Sequence, residues 1–519
     1  YKGANAQQRK FQLIVIIVGA AVGAVVKFFE SGFQTWTSST TFAAYIGKYL
    51  FVLALNSSPA LLGVGYIVGL RIGFLLILGG IVSWWLAIPI YLIVRDDHDC
   101  FFDPATNATL SNAEMADCVW STEIRYLGVG AMLMGGIGTI FVIGKSLING
   151  VKSAIRAFKI MRKHSWKGIE RTERDTPLPI VIAVALVAVI PLFAIFWLFT
   201  SNPGVSAFMA IFMIITGFLF SSVGAYMAGL VGSSNNPISG VTLATIITAA
   251  AVLLGFLGSN NPLGPSSAIL IGSVVCCAAG VAGDSMQDLK TGHMVKSTPF
   301  KLQIMQAIGV LVPSVVVAPV LSLLIEAYGI GKVTEANPTP LTAPQAVLMQ
   351  SVSTVIFYGG MPYAVVGIGA GLAALVLIYD TILGMCKCSF RVPVLAVALG
   401  LYLPFDLLTP IFLGGFVSWL GKITLKKYRV NAKDDARRGL LLAAGMITGE
   451  ALMGIVLAIP IVASGKSDIM AIIKDPLTWP GIIVLVLVMV MLYLCVIYKR
   501  IFAWKNQPKT ARPFNNTTA

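Results

Sequence analysis

The sequence predicts an all-α polytopic membrane protein with about twelve transmembrane helices, further re-entrant or broken helices, and an internal repeat. Composition is the first observation: of 519 residues, 57% are hydrophobic and only 11% charged, where soluble domains are about a quarter charged. Mean hydropathy is +0.86. The second is a set of apolar runs such as Phe74 to Val94, Leu178 to Thr200 and Gly481 to Tyr498, each long enough to cross a hydrocarbon core of roughly 30 Å as a helix. Such continuous runs exclude a β-barrel, whose strands alternate. The third is where the charge falls: 21 of the 37 Lys and Arg lie in Lys145 to Arg174, Lys422 to Arg438 and Lys499 to Arg512. Loops this basic between spans face the cytoplasm, and the net charge of +15 is therefore no sign of nucleic acid.

With the basic loops as anchors, the spans read in order as Phe11 to Phe29, Ser38 to Asn56, Phe74 to Val94, Leu127 to Leu147, Leu178 to Thr200 and Val205 to Val231. They continue as Gly240 to Gly258, Ser267 to Ala282, Ile304 to Glu326, Pro362 to Gly384, Gly439 to Ser464 and Gly481 to Tyr498. Three segments are too short or interrupted to cross and read as re-entrant or broken: Ser57 to Ile72, Thr342 to Gly359, and Val392 to Leu420 with Pro404, Asp406 and Pro410 inside it. The organisation that follows is a first transmembrane repeat over 1–144, a basic cytoplasmic linker over 145–177, a second repeat over 178–498, and a basic tail over 499–519. Within the linker, Ile148, Val151, Ile155 and Phe158 recur at helical spacing between Lys152, Arg156, Lys159 and Arg162, as in an amphipathic helix on the inner leaflet.

The repeat is read from identities. Ile77-Leu78-Gly79-Gly80-Ile81-Val82-Ser83-Trp84 matches Phe412-Leu413-Gly414-Gly415-Phe416-Val417-Ser418-Trp419 at an offset of 335, and Gly65 meets Gly400 at the same offset. A looser pattern joins Arg125 to Gly135 with Arg438 to Gly449. At that offset the equivalent of a second half starting near Val205 falls roughly 130 residues upstream of Tyr1, so further N-terminal spans are expected. The loop after the first copy is acidic and that after the second basic, which suits inverted copies with a substrate site near their interface.

Seven cysteines are scattered. Cys100 and Cys118 share the acidic loop, expected outside, where a disulfide and two free thiols are both open. Cys386-Lys387-Cys388 has no ligand cluster beside it, and His98, His164 and His293 lie in separate loops. No protein-built metal site and no cofactor are expected.

Charge inside a span costs roughly 2.5 to 3.5 kcal/mol on insertion scales, so each such residue is a functional candidate. Asp284 and Asp288 stand one helical turn apart in Gly283-Asp284-Ser285-Met286-Gln287-Asp288-Leu289-Lys290, where they could share a proton or pair with Lys290. Glu450, in Thr448-Gly449-Glu450-Ala451, has no cation nearby in sequence, while Asp380 and Asp406 lie nearer span ends. Ser233-Ser234-Asn235-Asn236-Pro237-Ile238-Ser239-Gly240 breaks one helix and starts another, leaving amides and N–H groups free for a substrate carboxylate; an ordinary polar turn fits the same residues.

These two stretches, with Ser58-Pro59-Ala60-Leu61-Leu62-Gly63-Val64-Gly65-Tyr66-Ile67-Val68-Gly69 and Ile124-Arg125-Tyr126-Leu127-Gly128-Val129-Gly130-Ala131-Met132, resemble the oligopeptide transporter family, in particular its bacterial branch similar to the yellow-stripe-like transporters. The resemblance spans nearly the whole chain, and its Met286 to Gly292 stretch is the most specific part. It implies a proton-coupled secondary transporter, not an enzyme, that imports small oligopeptides by alternating access. Metal chelates of the nicotianamine or siderophore kind are the alternative substrates, since a KIPPR-type motif of the peptide-transporting branch is absent. On this reading Ser234, Asn235, Asn236, Ser239 and Tyr66 contact substrate, and Asp284, Gln287, Asp288, Lys290 and Glu450 carry or sense the proton. The expected partners are the substrate, protons and lipids, with a homodimer as one oligomeric state, in the plasma (inner) membrane as a multi-pass protein. Two other classes fit less well. An intramembrane aspartyl protease needs opposed carboxylates, but Gly280 to Asp284 is one residue too long for GxGD and Tyr379-Asp380 follows it. A passive channel would give pH-independent flux.

Overall fold

Inside a bilayer a backbone is satisfied only by helices or closed sheets, and helices dominate the chain. The computed structural model describes residues 6–47, 49–94, 111–135, 138, 148, 170–231, 238–330, 341, 343–359, 362–386, 388, 390–427, 432–465, 468–473 and 476–505. In order these form α1 (Ala6–Lys27), a π-helical turn (Phe28–Gly32), strands β1 (Ser39–Ile46) and β2 (Tyr49–Asn56), α2 (Pro59–Val68) and α3 (Leu70–Ile81). A second π-helical turn (Val82–Ala87), α4 (Ile88–Val94), α5 (Asn112–Val119) and a third π-helical turn (Trp120–Ile124) follow, and 125–135 continue as helix. Then come α6 (Leu178–Thr200), α7 (Pro203–Val231), α8 (Ile238–Leu257), α9 (Leu263–Met294), α10 (Pro299–Tyr328) and α11 (Pro344–Tyr358). The last are α12 (Tyr363–Met385), α13 (Val394–Tyr402), α14 (Phe405–Lys427), α15 (Ala432–Ser464) and α16 (Trp479–Lys505). Among the described residues, 11 helices are long and apolar enough to cross a membrane. The protein is an integral, multi-pass, predominantly helical membrane protein.

One expected span is not a helix. Ser38 to Asn56 folds as an antiparallel hairpin, with Ser39 opposite Asn56 and Ile46 opposite Tyr49. Gly47, at φ +67°, makes the turn, and the alternation of β2, with Leu50, Val52 and Ala54 buried between exposed Tyr49, Phe51 and Leu53, is the period-two signal that mean hydropathy hides. Of the three segments expected to be re-entrant or broken, two are interrupted and the third, α11, is one continuous helix too short to be counted as a span. α2 stops at Gly69, whose φ of +86° only glycine adopts without strain; α13 stops before Pro404; α11 has 15 residues. The linker from 145 to 169, apart from residue 148, and residues 506–519 of the tail lie outside the described residues.

The chain divides into two compact units. The first holds residues 1–128, 322–341 and 396–519. Its core, Leu62, Tyr66, Val417, Leu442, Met446, Leu485 and Leu492, is closed by α2, α14, α15 and α16. Two pairs of small-residue crossings set its geometry. On α1, a Cβ at Gly19 would meet Leu442 O at 2.4 Å and one at Gly23 would meet Met446 O at 2.2 Å. From the other side, Cβ atoms at Gly445 and Gly449 of α15 would meet Ile16 O and Ala20 O. Membrane helices approach this closely only through such residues.

The second pair is reciprocal and involves the sequence repeat. A Cβ on Gly65 would lie 2.0 Å from Ile411 O, and one on Gly400 would lie 2.1 Å from Leu76 O. Likewise Gly414 faces Leu62 O at 2.0 Å and Gly79 faces Val397 O at 2.5 Å. Each residue is 335 positions from its counterpart in the other contact. Reciprocity of this kind, i on j′ and j on i′, is the signature of a local two-fold: α2 crosses α14 as α13 crosses α3.

The second unit holds residues 129–321 and 342–395. α7, α8, α9 and α11 surround Phe196, Met209, Met213, Leu253, Ile271, Val275 and Phe357. The apolar windows of α6 and α10 are almost wholly exposed, as lipid-facing helices are.

Candidate functional site

The crossing of α1 and α15 brings together charges far apart in sequence. Gly23 lies against the Met446 carbonyl and the Glu450 amide, so the end of α1 and the following π-helical turn run beside the middle of α15. There Lys27 Nζ donates to Glu30 Oε1 at 3.2 Å. Glu30 is buried, and its Oε2 has no partner. Lys27 also interacts electrostatically with Glu450, so one cation serves two carboxylates.

Glu450 is held at the start of α2. Ser58 Oγ donates to Glu450 Oε1 at 2.7 Å and the Ala60 N–H to Oε2 at 2.8 Å. Ser58 is also the N-cap of α2, accepting from Leu61 N–H at 3.2 Å. An N-terminal helix turn favours negative charge and leaves N–H groups unsatisfied, so a short helix that begins inside the protein positions the carboxyl. The network continues: the Ser58 N–H donates to Asn56 Oδ1 at 3.0 Å, and Asn56 Nδ2 donates to Asp406 Oδ2 at 3.3 Å. Asp406, Asn56, Ser58 and Glu450 thus form one chain of contacts linking two intramembrane carboxyls. Near Asp406, Asp117 of α5 has its carboxyl pushed up to about 6 by partial burial and by the charges of Asp406 and Glu114. Both Glu450 oxygens thus accept hydrogen bonds beside a cation shared with Glu30.

The other expected residues are distributed elsewhere. Asp284, Gln287, Asp288 and Lys290 are exposed on α9, where a neighbouring backbone carbonyl, that of Ser285, accepts from Gln306 Nε2 at 3.2 Å. Ser234, Asn235 and Asn236 lie outside the described residues, and Ser239 is in the first turn of α8. Tyr66 is buried, its hydroxyl against the backbone of Gly439. Asp380 is clamped by Arg391, through Nε at 2.9 Å and Nη2 at 2.7 Å, and by the Val392 N–H at 2.7 Å; it ties the end of α12 to the next segment. Cys118 is disulfide-bonded, and Cys100 lies outside the described residues; Cys276, Cys277, Cys386, Cys388 and Cys495 are free.

Lys27, Glu30, Asn56 and Ser58 escaped sequence reasoning as site residues. The Ser58-Pro59 pair is a helix-start signal, and Lys27 and Glu30 are at i, i+3; their joining with Glu450, which follows Ser58 by 392 residues and the other two by still more, is tertiary.

A multi-pass helical protein with reciprocal helix crossings and a half-buried carboxyl network belongs to the class of membrane transporters. Residues 1–461 match the family model of the OPT oligopeptide transporter protein, and the chain belongs to that family. It is 32% identical over 477 residues to a protein of Haemophilus influenzae (strain ATCC 51907 / DSM 11121 / KW20 / Rd) named "Putative oligopeptide transporter", covering 86% of this chain and 73% of that one. It is 26% identical over 199 residues to a protein of Oryza sativa subsp. japonica named "Probable metal-nicotianamine transporter", covering 36% of this chain and 26% of that one. No solved structure matches the chain. As a family member the protein is a transporter and not an enzyme.

Proposed function

We propose that the protein imports small oligopeptides across the plasma (inner) membrane by alternating access, with protons as the coupling ion and Glu450 as the coupling carboxyl. The observation that carries this is the Glu450 site: an intramembrane carboxyl gripped by Ser58 Oγ and the Ala60 N–H while sharing Lys27 with Glu30. Gaining or losing one proton there changes the charge balance of two packed helices and the start of a third. Asp284, Gln287, Asp288 and Lys290 then form a polar, cytoplasmic end of α9 through which protons equilibrate. Ser234, Asn235, Asn236, Ser239 and Tyr66 stand as substrate contacts, lipids surround the spans, and a homodimer is the proposed assembly.

The name of the Haemophilus relative supports peptides, and the name of the Oryza relative gives the second reading, metal chelates. Proteoliposome uptake of di- to hexapeptides, competed by a metal–nicotianamine complex, separates them. Saturable uptake that rises with an inward proton gradient is expected for the wild type. The Glu450→Gln variant should retain exchange of labelled for unlabelled substrate while losing its response to the gradient. An unaltered gradient response in that variant removes Glu450 from the coupling role.

A further inference from the structure

A second polar cluster in the first unit takes no part in the Glu450 network. It is built on two of the three π-helical turns, a geometry that recurs at functional sites. Trp84 and Trp120 stack with ring centroids 5.5 Å apart and planes 24° from parallel. The Arg125 guanidinium lies 5.8 Å from the Trp120 ring centroid and 6.0 Å from that of Tyr126. Four polar atoms here are sealed from solvent and have no hydrogen-bond partner: Ser83 Oγ, Trp84 Nε1, Trp120 Nε1 and Arg125 Nε. Ser83 is 0% exposed and Trp84 2%.

Buried polar atoms are nearly always paired, and those that are not call for a cause. These share a chemistry. An indole N–H and a guanidinium N–H can only donate, so three of the four need an acceptor. Arg125 has no carboxylate within ion-pairing distance among the described residues, and the aromatic faces beneath it hold the cation without neutralising it. Water could accept from the indoles but would leave the charge unbalanced. The complement of this cluster is an anionic oxygen pair, and Arg with flanking N–H donors is the arrangement that recognises carboxylates.

Comparison of the two repeat copies supports a dedicated site. Ser83 and Trp84 correspond to Ser418 and Trp419, but Trp419 is 43% exposed and packs on Phe416. Ser418 is buried like Ser83, at 3% exposed, so the copies differ at the tryptophan: Trp84 is sealed among unpaired donors and Trp419 is not.

We propose that Arg125, Trp120, Trp84 and Ser83 form a carboxylate-binding subsite, which, resting on the transport reading above, receives the C-terminal carboxylate of a peptide. The half-buried side of Arg125 is its entrance.

The test uses trialanine and trialanine amide, which differ in that carboxylate. Transport by the wild type in proteoliposomes and thermal stabilisation of the purified protein are measured for both. The wild type should favour the acid at least tenfold in half-saturating concentration. Trp84→Phe, which keeps a ring and removes the N–H, should raise that concentration about tenfold for the acid and leave the amide unchanged. Arg125→Gln should abolish the preference, and Arg125→Lys, the milder change, should retain part of it. Saturable uptake indifferent to amidation and to the Arg125 variants overturns the subsite while the transport reading stands. Stabilisation by the acid that Arg125→Gln removes, with no peptide transported, upholds the subsite and overturns the peptide reading. Absence of both effects overturns the subsite.

Discussion

One hydroxyl at Ser58 serves two structures: it caps α2 by accepting from Leu61 N–H and donates to Glu450. Loss of an N-cap side chain costs about 1 kcal/mol. Ser58→Ala should therefore lower the melting temperature in detergent and also alter the response of uptake to pH; Ser58→Thr should preserve both. Lys27 offers a sharper contrast. Removing one partner of a buried ion pair leaves an uncompensated charge, at about 3 to 5 kcal/mol, so Lys27→Met should destabilise strongly. The double variant Lys27→Met with Glu30→Gln should recover most of that loss, and a strictly additive result in unfolding measurements would rule out the pairing as the source of stability. Asp117 carries the pH prediction. Its folded pKa of about 6 lies above the ordinary value of about 3.9, so its contribution to stability is greatest below pH ~4 and is lost as pH rises through about 6. Because Asp117 keeps an exposed edge, solvent screening makes the effect small, and the direct readout is the carboxyl titration itself, which Asp406→Asn should move downward.

At the scale of elements, glycines separate into those that permit a crossing and those that permit nothing in particular. A Cβ on Gly414 would meet the Leu62 carbonyl at 2.0 Å, whereas Gly217 and Gly255 have nothing within 4 Å. Gly414→Ala must push two backbones apart and should cost at least the 1 to 3 kcal/mol typical of overpacking. Gly217→Ala should be neutral or slightly stabilising, since alanine favours helix by about 1 kcal/mol; equal melting temperatures for the two variants would contradict the crossing. The repeat made this crossing partly legible, because Gly65, Gly79, Gly400 and Gly414 stand at one offset, and Pro404, Asp406 and Pro410 announced the break between α13 and α14. The hairpin was missed for a physical reason. Averaged over a window, Ser38 to Asn56 is as apolar as a span, and only its alternation around Gly47 distinguishes two strands from one helix. The sequence likewise marked Glu450 as costly to bury but could not show its partners, because Lys27 and Ser58 reach it through packing of α1 and α2 on α15. No periodicity encodes the stacking of Trp84 on Trp120 or the orphaned donors around it.

For the whole molecule, helix length against membrane thickness decides which carboxyls sit at which depth. α9 has 32 residues, about 48 Å at 1.5 Å per residue, well beyond a core of roughly 30 Å. A crossing that starts near Leu263 is complete near Ala282, so Asp284 and Asp288 project past the hydrocarbon, in keeping with their exposure. On α15 the charged start ends at Arg438, and Glu450 lies 12 residues further on, about 18 Å deep. The two sets of carboxyls therefore differ in environment: Asp284 and Asp288 are exposed, whereas Glu450 is half-buried and held by Ser58 and Ala60. In a background with Cys276, Cys277, Cys386, Cys388 and Cys495 replaced, Asp288→Cys should react with a membrane-impermeant maleimide from the cytoplasmic side alone. Glu450→Cys should stay unreacted from either side in the absence of substrate, and react only when substrate and a proton gradient cycle the protein. Labelling of Asp288→Cys from the outside would reverse the orientation drawn from the basic loops. Equal, substrate-independent labelling at both positions would place Glu450 in open water and leave a carboxyl there too solvated to couple proton movement to a conformational step.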